Sequence, residues 1–288
     1  MAVKTTEYNS TNIPTWCPGC GNFVIHASLK KALSDLNISP SETFMAFDIG
    51  CNGNGADKIN LYAFKGLHGR SIPLAVGAHL ANRKITVFAD IGDGGCFHEG
   101  LDHLVHAIRA NYNITILIHN NENFALTTGQ ATVTTKKGKP MYGLPYGRPE
   151  RNLNVSEFIL NLHPSFFAKA YSGDPSQMSN IIKEAVKHKG CSIVEIMQLC
   201  PKYNKEFTPE WATQNIKKVS DLKNYDNTSL KNAKDLLSED THPYTGIIFK
   251  DEKIPTFYNS LESRKDSLTE LVDEVKRHDI KKYLKYFK

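Results

Sequence analysis

The sequence predicts an α/β fold in which helices cover both faces of a doubly wound, mostly parallel sheet. Three observations carry this prediction: apolar runs of strand length, amphipathic stretches of helix length, and the alternation of the two along the chain. With 288 residues, of which 40% are hydrophobic and 23% charged, the chain can bury a large core.

Four apolar runs have the length and composition of buried parallel strands. They are Thr43–Asp48, Ile85–Ile91, Ile114–His119 and Ser192–Met197. Helices are predicted before and between them over Asn22–Leu36, Ile72–Ala81, Phe97–Asn111 and Ser176–His188. The segment Thr127–Asn154, rich in Gly, Lys, Pro and Thr, is predicted to be a long loop. Long loops in compact domains tend to bind ligands or cover them.

Charge density divides the chain near residue 200. Residues 1–200 hold 18 Lys/Arg and 15 Asp/Glu, and the remaining 88 residues hold 17 and 15. The sequence therefore predicts a body over residues 1–204 and a highly charged, helical C-terminal extension over residues 205–288.

Composition argues against two classes of function. The net charge of +5 is mild, and the only basic cluster, KKYLKYFK at the C-terminus, is expected to be a solvated helix end rather than a nucleic-acid site. No apolar run approaches the roughly 18–20 residues that a membrane helix needs, and the N-terminus does not resemble a signal peptide. We therefore expect a cytoplasmic protein that binds neither nucleic acid nor membrane.

The chain has six cysteines: Cys17, Cys20, Cys51, Cys96, Cys191 and Cys200. In a reducing cytosol, a Cys-x-x-Cys pair such as Cys17–Cys20 indicates metal or redox chemistry rather than a disulfide. Cys51 and Cys200 each follow a predicted strand, so four thiolates could gather at one sheet edge, as a cubane iron–sulfur cluster requires. A four-thiolate zinc site remains an alternative. Cys96 and Cys191 are expected to be packing residues.

Polar residues also follow two consecutive strands. Asp93 lies in a Gly-Asp-Gly-Gly run after one strand, and Asn121 follows the next strand. A right-handed βαβ unit would bring both to the carboxyl ends of neighbouring strands, where open α/β sheets bind ligands. Asp93, Asn121 and the carbonyl of Asn123 are oxygen ligands suited to Mg²⁺.

The glycines beside Asp93 suit a diphosphate. Gly92, Gly94 and Gly95 let the backbone approach phosphate, and the following helix offers its N-terminal N–H groups. The complete arrangement, strand, Gly-Asp-Gly, helix, strand and Asn, resembles the thiamine diphosphate signature. A lone Gly-Asp-Gly would more often be a simple turn.

Six motifs, in order, resemble the β-subunit family of 2-oxoacid:ferredoxin oxidoreductases over residues 14–204. They are WCPGCG, DIGC, GLHGR, ADIGDGG, NNENFALTTGQ and LCPKYN. The resemblance implies a thiamine-diphosphate-binding domain over residues 1–204 and a [4Fe–4S] cluster on Cys17, Cys20, Cys51 and Cys200. It further implies Mg²⁺ on Asp93, Asn121 and Asn123. It places thiamine diphosphate against Ile49, Gly50, Cys51 and His68, and the reacting carbon near Leu126, Thr127 and Thr128.

The resemblance also implies the reaction and the partners. A 2-oxoacid, CoA and oxidised ferredoxin would give acyl-CoA, CO₂ and reduced ferredoxin. An α subunit, or α and γ subunits, would supply the pyrimidine-binding domain and a catalytic Glu, in a hetero-oligomer such as (αβ)₂. Alone, the chain would be inactive.

The chain departs from its relatives at Thr128, where many of them have a Lys that is thought to recognise the distal carboxylate of 2-oxoglutarate. We therefore expect pyruvate or another small monocarboxylate to be preferred, unless a partner's cation, Lys136 or Lys137 compensates. The alternatives are 2-oxoglutarate as the main substrate, a non-redox thiamine-dependent decarboxylase subunit with structural zinc, and a zinc-stabilised binding subunit.

Overall fold

An eight-stranded sheet forms the centre of the protein. The computed structural model describes residues 2–238, 242–274, 281–284 and 286. In this part of the chain, the sheet has the order β2-β1-β3-β4-β8-β7-β10-β9, and a separate hairpin pairs β5 with β6. The strands are β1 Thr43–Phe47, β2 Tyr62–Lys65, β3 Thr86–Gly92, β4 Thr115–Asn120, β5 Asn123–Phe124, β6 Gln130–Ala131, β7 Phe166–Tyr171, β8 Ser192–Met197, β9 Lys217–Lys218 and β10 Tyr244–Lys250.

The mostly parallel, doubly wound sheet predicted from the sequence is confirmed. The four predicted strands are β1, β3, β4 and β8, and they lie side by side with parallel pairing. Their carboxyl ends therefore lie at one edge of the sheet, which we call the carboxyl edge. Asp93 and Asn121 directly follow β3 and β4 there, as the βαβ argument requires.

Helices pack on both faces because side chains alternate along each strand. Along β3, Phe88 packs in the core beneath α1 and α5, whereas Val87 and Ala89 point into the core on the opposite face. The helices are α1 Gly21–Asp35, α2 Ser71–Ala81, α3 Leu101–Ala110, α4 Val155–Asn161, α5 Pro175–Lys187, α6 Pro209–Asn215, α7 Leu230–Ser238, α8 Leu271–Glu274 and α9 Lys281–Leu284. No helix among the described residues is long and apolar enough to cross a membrane.

The predicted helix Phe97–Asn111 is not continuous. A π-helical turn spans Gly95–Glu99, the backbone leaves helical geometry at Gly100, and α3 begins at Leu101. A Cβ atom at Gly100 would lie 2.8 Å from the carbonyl oxygen of Gly69. The close approach of these two backbones explains why the amphipathic pattern, which continues across the break, does not give one straight helix.

Four strands of the sheet were not predicted from the sequence: β2, β7, β9 and β10. Lys169 interrupts the apolar pattern of β7, and its ammonium lies 3.1 Å from the buried carboxylate of Glu195 on β8. Beyond residue 204, the charged segment contains helices, as expected, and also β10, which pairs antiparallel with β7. The C-terminal segment thus contributes to the main sheet, and a domain boundary at residue 204 stays a prediction.

A buried ion pair ties the C-terminal segment to the end of α2. The guanidinium of Arg83 contacts both carboxylate oxygens of Glu270 at 2.9 Å, and the Arg83 backbone N–H donates to the same carboxylate at 2.8 Å. The guanidinium also stacks on the ring of Tyr258. Of the basic C-terminal cluster, residues 285, 287 and 288 lie outside the described residues.

Candidate functional site

A cavity of about 100 Å³ lies at the carboxyl edge, where β1, β3 and β4 end. Twelve of the residues proposed from the sequence line it. They are Ile49, Gly50, Cys51, His68, Gly92, Asp93, Gly94, Gly95, Asn121, Asn123, Leu126 and Thr127. Segments that are far apart in the sequence therefore meet at the position where the strand pattern predicted a ligand.

Asp93 and Asn121 are held in place by their neighbours. The Asp93 carboxylate accepts hydrogen bonds from the hydroxyls of Thr132 and Thr134, both at 2.6 Å. Burial raises the pKa of Asp93 to about 6 although these hydrogen bonds oppose the shift. The Asn121 side-chain oxygen accepts from the Asn123 backbone N–H at 3.1 Å. A cation at this carboxylate would favour its charged form.

The Asn123 carbonyl, the third proposed Mg²⁺ ligand, accepts a hydrogen bond from the Ala125 backbone N–H at 3.0 Å. The Asn123 side chain donates to the Asn121 carbonyl at 2.7 Å and lies 4.0 Å from the Cys200 sulfur. Asn123 thus joins the proposed metal site to the cysteines.

Two glycines are required where the backbone borders the cavity. A Cβ atom at Gly94 would lie 2.1 Å from the ring of Phe124, and one at Gly95 would lie 1.9 Å from the buried carboxylate of Asp48. That carboxylate contacts His68 Nδ1 at 3.1 Å, and the hydrogen bond raises the pKa of His68. The arrangement fixes the imidazole at the cavity wall and favours its protonated form near a diphosphate.

A buried polar network beneath the cavity was not predicted from the sequence. His119 contacts Asp90 through Nε2 at 2.9 Å and Asn22 through Nδ1 at 3.0 Å, and Asn52 donates to Asp90 at 2.8 Å. Burial opposes charge on Asp90, but the charge and hydrogen bond of His119 hold its pKa below the usual range. The network links α1, which follows Cys20, to the cavity floor.

The four cysteines proposed as cluster ligands lie together. The Cys20 backbone N–H donates to the Cys17 carbonyl at 3.0 Å and closes a turn. That turn adjoins the loop after β8, because the Gly21 N–H donates to the Leu199 carbonyl at 3.0 Å. Cys200 is buried on the same loop.

The thiols influence one another electrostatically. Burial and the neighbouring thiolate charges of Cys20, Cys200 and Cys17 raise the pKa of Cys51 to about 12. Burial and the charges of Cys200 and Cys17 likewise raise the pKa of Cys20. A raised pKa favours the neutral thiol, so a bound metal centre would be needed to stabilise the thiolate forms of these cysteines. Gln198 donates to the Cys20 sulfur at 3.7 Å, a contact of the kind that tunes cluster potentials.

In the described part of the chain, no group of three or more His, Cys, Asp and Glu side chains is arranged to hold one metal ion. A cubane binds its four thiolates through four different irons, so this finding does not test a cluster on the four cysteines, which stays a proposal. Cys96 and Cys191 are fully buried, as expected for packing residues.

The residues proposed near the reacting carbon are not equivalent. All three are exposed, but Leu126 and Thr127 line the cavity and Thr128 does not. Thr128 has φ of 86°, an uncommon conformation for a β-branched residue, and its hydroxyl donates to the Thr127 carbonyl. The long loop that follows carries Lys136, which lines a different cavity of about 690 Å³ and lies over the ring of Trp211.

Several residues that line the cavity were missed in the sequence. They are Asn52, His119, Phe124, Ala125 and Gln198. Three of them are polar residues at or just beyond strand ends, which is a signal that could have found them. The threonines that hold Asp93 were also missed, although the run Thr132-Val133-Thr134-Thr135 is conspicuous in the sequence.

Comparison with known families agrees with the geometry. Residues 48–196 match the family described as thiamine pyrophosphate enzyme, C-terminal TPP binding domain. Residues 200–266 match the family described as the C terminal of the pyruvate ferredoxin oxidoreductase beta subunit. The first match begins at Asp48 and spans the cavity, and the second begins at Cys200.

Individual relatives extend the match. The chain is 35% identical over 211 residues to subunit beta of 2-oxoacid:ferredoxin oxidoreductase 1 from Aeropyrum pernix, covering 73% of this chain and 66% of the relative. It is 31% identical to 2-oxoacid:ferredoxin oxidoreductase subunit beta of Saccharolobus solfataricus, covering 97% of this chain and 93% of the relative.

One solved structure is similar over almost the whole chain. It is 2-oxoglutarate:ferredoxin oxidoreductase from Magnetococcus marinus with 2-oxoglutarate, coenzyme A and succinyl-CoA bound. The TM-score is 0.86 at 28% identity, covering 99% of this chain and 96% of the other. Sequence, cavity and fold lead to the same family: the chain belongs to the β subunits of 2-oxoacid:ferredoxin oxidoreductases, and it carries their thiamine-diphosphate-binding fold.

Proposed function

We propose that this chain, together with a partner subunit, catalyses the CoA-dependent oxidative decarboxylation of a 2-oxoacid and passes two electrons to ferredoxin. The observation that carries the proposal is the position of Cys51. It lines the cavity proposed for the diphosphate, and the charges of Cys17, Cys20 and Cys200 affect the pKa of its thiol. When bound, thiamine diphosphate supplies the carbanion and electron sink, and a [4Fe–4S] cluster accepts electrons singly.

The residues of this chain would bind and orient those groups. Asp93, Asn121 and the Asn123 carbonyl would hold Mg²⁺, and Gly94 and Gly95 would border the diphosphate. The site cysteines Cys17, Cys20, Cys51 and Cys200 would hold the cluster. In a zinc-stabilised subunit without redox chemistry, the contact between the cavity and the cysteines would have no function.

A partner subunit is part of the proposal. No Glu or Asp other than Asp93 lines the cavity in the described part of the chain, so a carboxylate for the aminopyrimidine would come from another subunit. Apolar side chains at the cavity rim support this. Leu126 is 54% exposed, and Leu67, next to His68, is 78% exposed. We propose an α subunit as the partner that covers them.

The test is anaerobic purification of the chain co-expressed with its partner. We expect the visible absorption of an iron–sulfur cluster, bleached by a 2-oxoacid and CoA, and reduction of ferredoxin only when both substrates are present. Decarboxylation without CoA or ferredoxin would support the non-redox alternative, and a colourless zinc-containing complex would overturn the proposal.

Two substrates are candidates. No Lys or Arg lines the cavity in the described part of the chain, which favours pyruvate or another small monocarboxylate. Lys136 lines the other cavity, which disfavours it as the compensating cation. The similar Magnetococcus marinus enzyme is named for 2-oxoglutarate, which favours that substrate and would need a cation from the partner.

The ratio of kcat/KM values for the two acids distinguishes these candidates. A distal carboxylate without a cation loses a charge-assisted hydrogen bond, about 1.5–3 kcal/mol, or roughly 10- to 150-fold in selectivity. We expect pyruvate to be preferred, and Thr128→Lys to raise relative activity toward 2-oxoglutarate. A wild-type complex that prefers 2-oxoglutarate would place the cation on the partner subunit.

A further inference from the structure

Two buried threonines hold the Asp93 carboxylate by one of its oxygens. Thr132 Oγ1 and Thr134 Oγ1 both donate to Asp93 Oδ2, each at 2.6 Å. All three side chains are at most 5% exposed. Each oxygen of a carboxylate accepts about two hydrogen bonds. The two hydroxyls, which also lie 2.8 Å from each other, both contact Oδ2, whereas neither contacts Oδ1, so Oδ1 is the oxygen more available to a cation.

The threonine hydroxyls are themselves fixed. The Thr132 backbone N–H donates to Thr135 Oγ1 at 2.8 Å, and Thr135 Oγ1 donates to the Glu122 carbonyl at 2.6 Å. The buried Arg148 guanidinium donates to the Thr135 carbonyl at 2.7 Å. These contacts tie the threonine run to the backbone next to Asn121 and hold the segment that carries both hydroxyls beside Asp93.

The geometry at Asp93 bears on the choice of cation. Mg²⁺ demands a compact octahedron and takes one oxygen from a carboxylate, whereas Ca²⁺ accepts six to eight ligands and often uses both carboxylate oxygens. We propose that Thr132 and Thr134 are positioning residues that restrict Asp93 to monodentate coordination and thereby favour Mg²⁺ over Ca²⁺. The inference rests on the proposed function, since it concerns the metal that accompanies thiamine diphosphate.

The test compares the two cations in the assembled complex, freed of thiamine diphosphate and divalent ions. Thiamine diphosphate is titrated by calorimetry with saturating Mg²⁺ or Ca²⁺ into wild type, Thr132→Val and Thr134→Val. Valine keeps the shape and removes the hydroxyl. We expect affinity with Mg²⁺ to fall about 10-fold, the effect of one lost hydrogen bond to a charged group, and affinity with Ca²⁺ to change much less.

Rescue and control variants separate this role from a structural one. Thr132→Ser and Thr134→Ser retain the hydroxyl and should restore the Mg²⁺ preference. Thr245→Val removes another buried hydroxyl, on β10, and should leave both affinities unchanged. If a valine variant does not assemble, the alanine variant at the same position gives the same comparison.

Two outcomes would overturn the inference: an equal loss of affinity with both cations, or no loss with either. A wild-type complex that binds no thiamine diphosphate with either cation would instead overturn the proposed function. The two failures are therefore distinguishable.

Discussion

Cys51 is the residue at which the two proposed cofactor sites meet. It lines the cavity beside Gly50, and its carbonyl accepts a hydrogen bond from the Trp16 indole at 2.6 Å. Trp16 directly precedes Cys17, so the contact holds the Cys17–Cys20 turn against the cavity wall. The proposed cluster site and the proposed thiamine diphosphate site therefore share Cys51.

The cysteines allow a matched comparison. Cys200 and Cys191 are both buried, but only Cys200 lies with the other cluster cysteines. We expect Cys200→Ser to lower the iron content and abolish ferredoxin reduction in the assembled complex, because one thiolate ligand is lost. Cys191→Ser should leave both unchanged. Iron analysis and visible absorption provide the measurement, and equal effects of the two changes would contradict the ligand assignment.

Among the elements, α2 and the C-terminal segment are joined by a contact whose strength depends on pH. The Arg83 guanidinium lowers the pKa of Glu270 through its hydrogen bonds. A carboxyl whose pKa is lower in the folded state contributes stability above its unfolded pKa, about 4.3, and loses it as the pH falls through the folded value. This contact therefore weakens below about pH 4.3, the unfolded value.

Glu270→Gln tests this contact. The change leaves the partly buried Arg83 charge without its charged partner, which typically costs about 1–3 kcal/mol. Urea unfolding at pH 7 should show a loss of that order, and the difference from wild type should shrink toward pH 3. Glu274→Gln disrupts the more exposed pair with Arg264 and should cost clearly less. Equal losses would contradict the interpretation.

At the scale of the whole molecule, this chain alone does not cover the cavity at the carboxyl edge. The cavity is open, and its rim carries the exposed apolar side chains of Leu67 and Leu126. Two further apolar side chains, Tyr62 and Phe64, are exposed on the edge strand β2. Apolar groups that surround an open site in this way are typical of a surface that is buried against another protein chain.

Leu67→Glu should weaken assembly with the partner subunit. A charge at a buried apolar contact is unfavourable, so we expect less partner to co-purify and activity to fall in proportion. Leu268→Glu is the control, because Leu268 is 93% exposed and lies near Glu270, away from the carboxyl edge. Normal assembly of Leu67→Glu would show that this rim residue is not part of the interface.

The central strands could be predicted from the sequence because they are apolar on both faces, which is typical of parallel strands covered by helices on both sides. The sequence did not predict β7, since burial of Lys169 is acceptable only beside Glu195, which lies on another strand. β10 was not predicted, because its short apolar run lies within a segment rich in charged residues. Whether such a segment forms a strand depends on its neighbours in the sheet, and not on its local composition.

The same distinction applies to the site. Asp93 and Asn121 could be placed because each follows a predicted strand, and topology brings strand ends together. Thr132 and Thr134 could not, because they belong to a loop whose path depends on Arg148 and other distant contacts. Thr128 is exposed, as are Leu126 and Thr127, and its place near the reacting carbon stays a prediction.

The hydrogen bond between Gly21 and Leu199 has a consequence for biosynthesis. It joins the Cys17–Cys20 turn to a strand end that the ribosome makes much later, so the four cysteines cannot come together until most of the body has been synthesised. Chain segments fold as they emerge, and contacts between distant segments form slowly. Cys17 and Cys20 therefore lack Cys200 as a neighbour until the central sheet has been synthesised. Any cluster has to be delivered to a nearly finished protein, after folding has built the place that receives it.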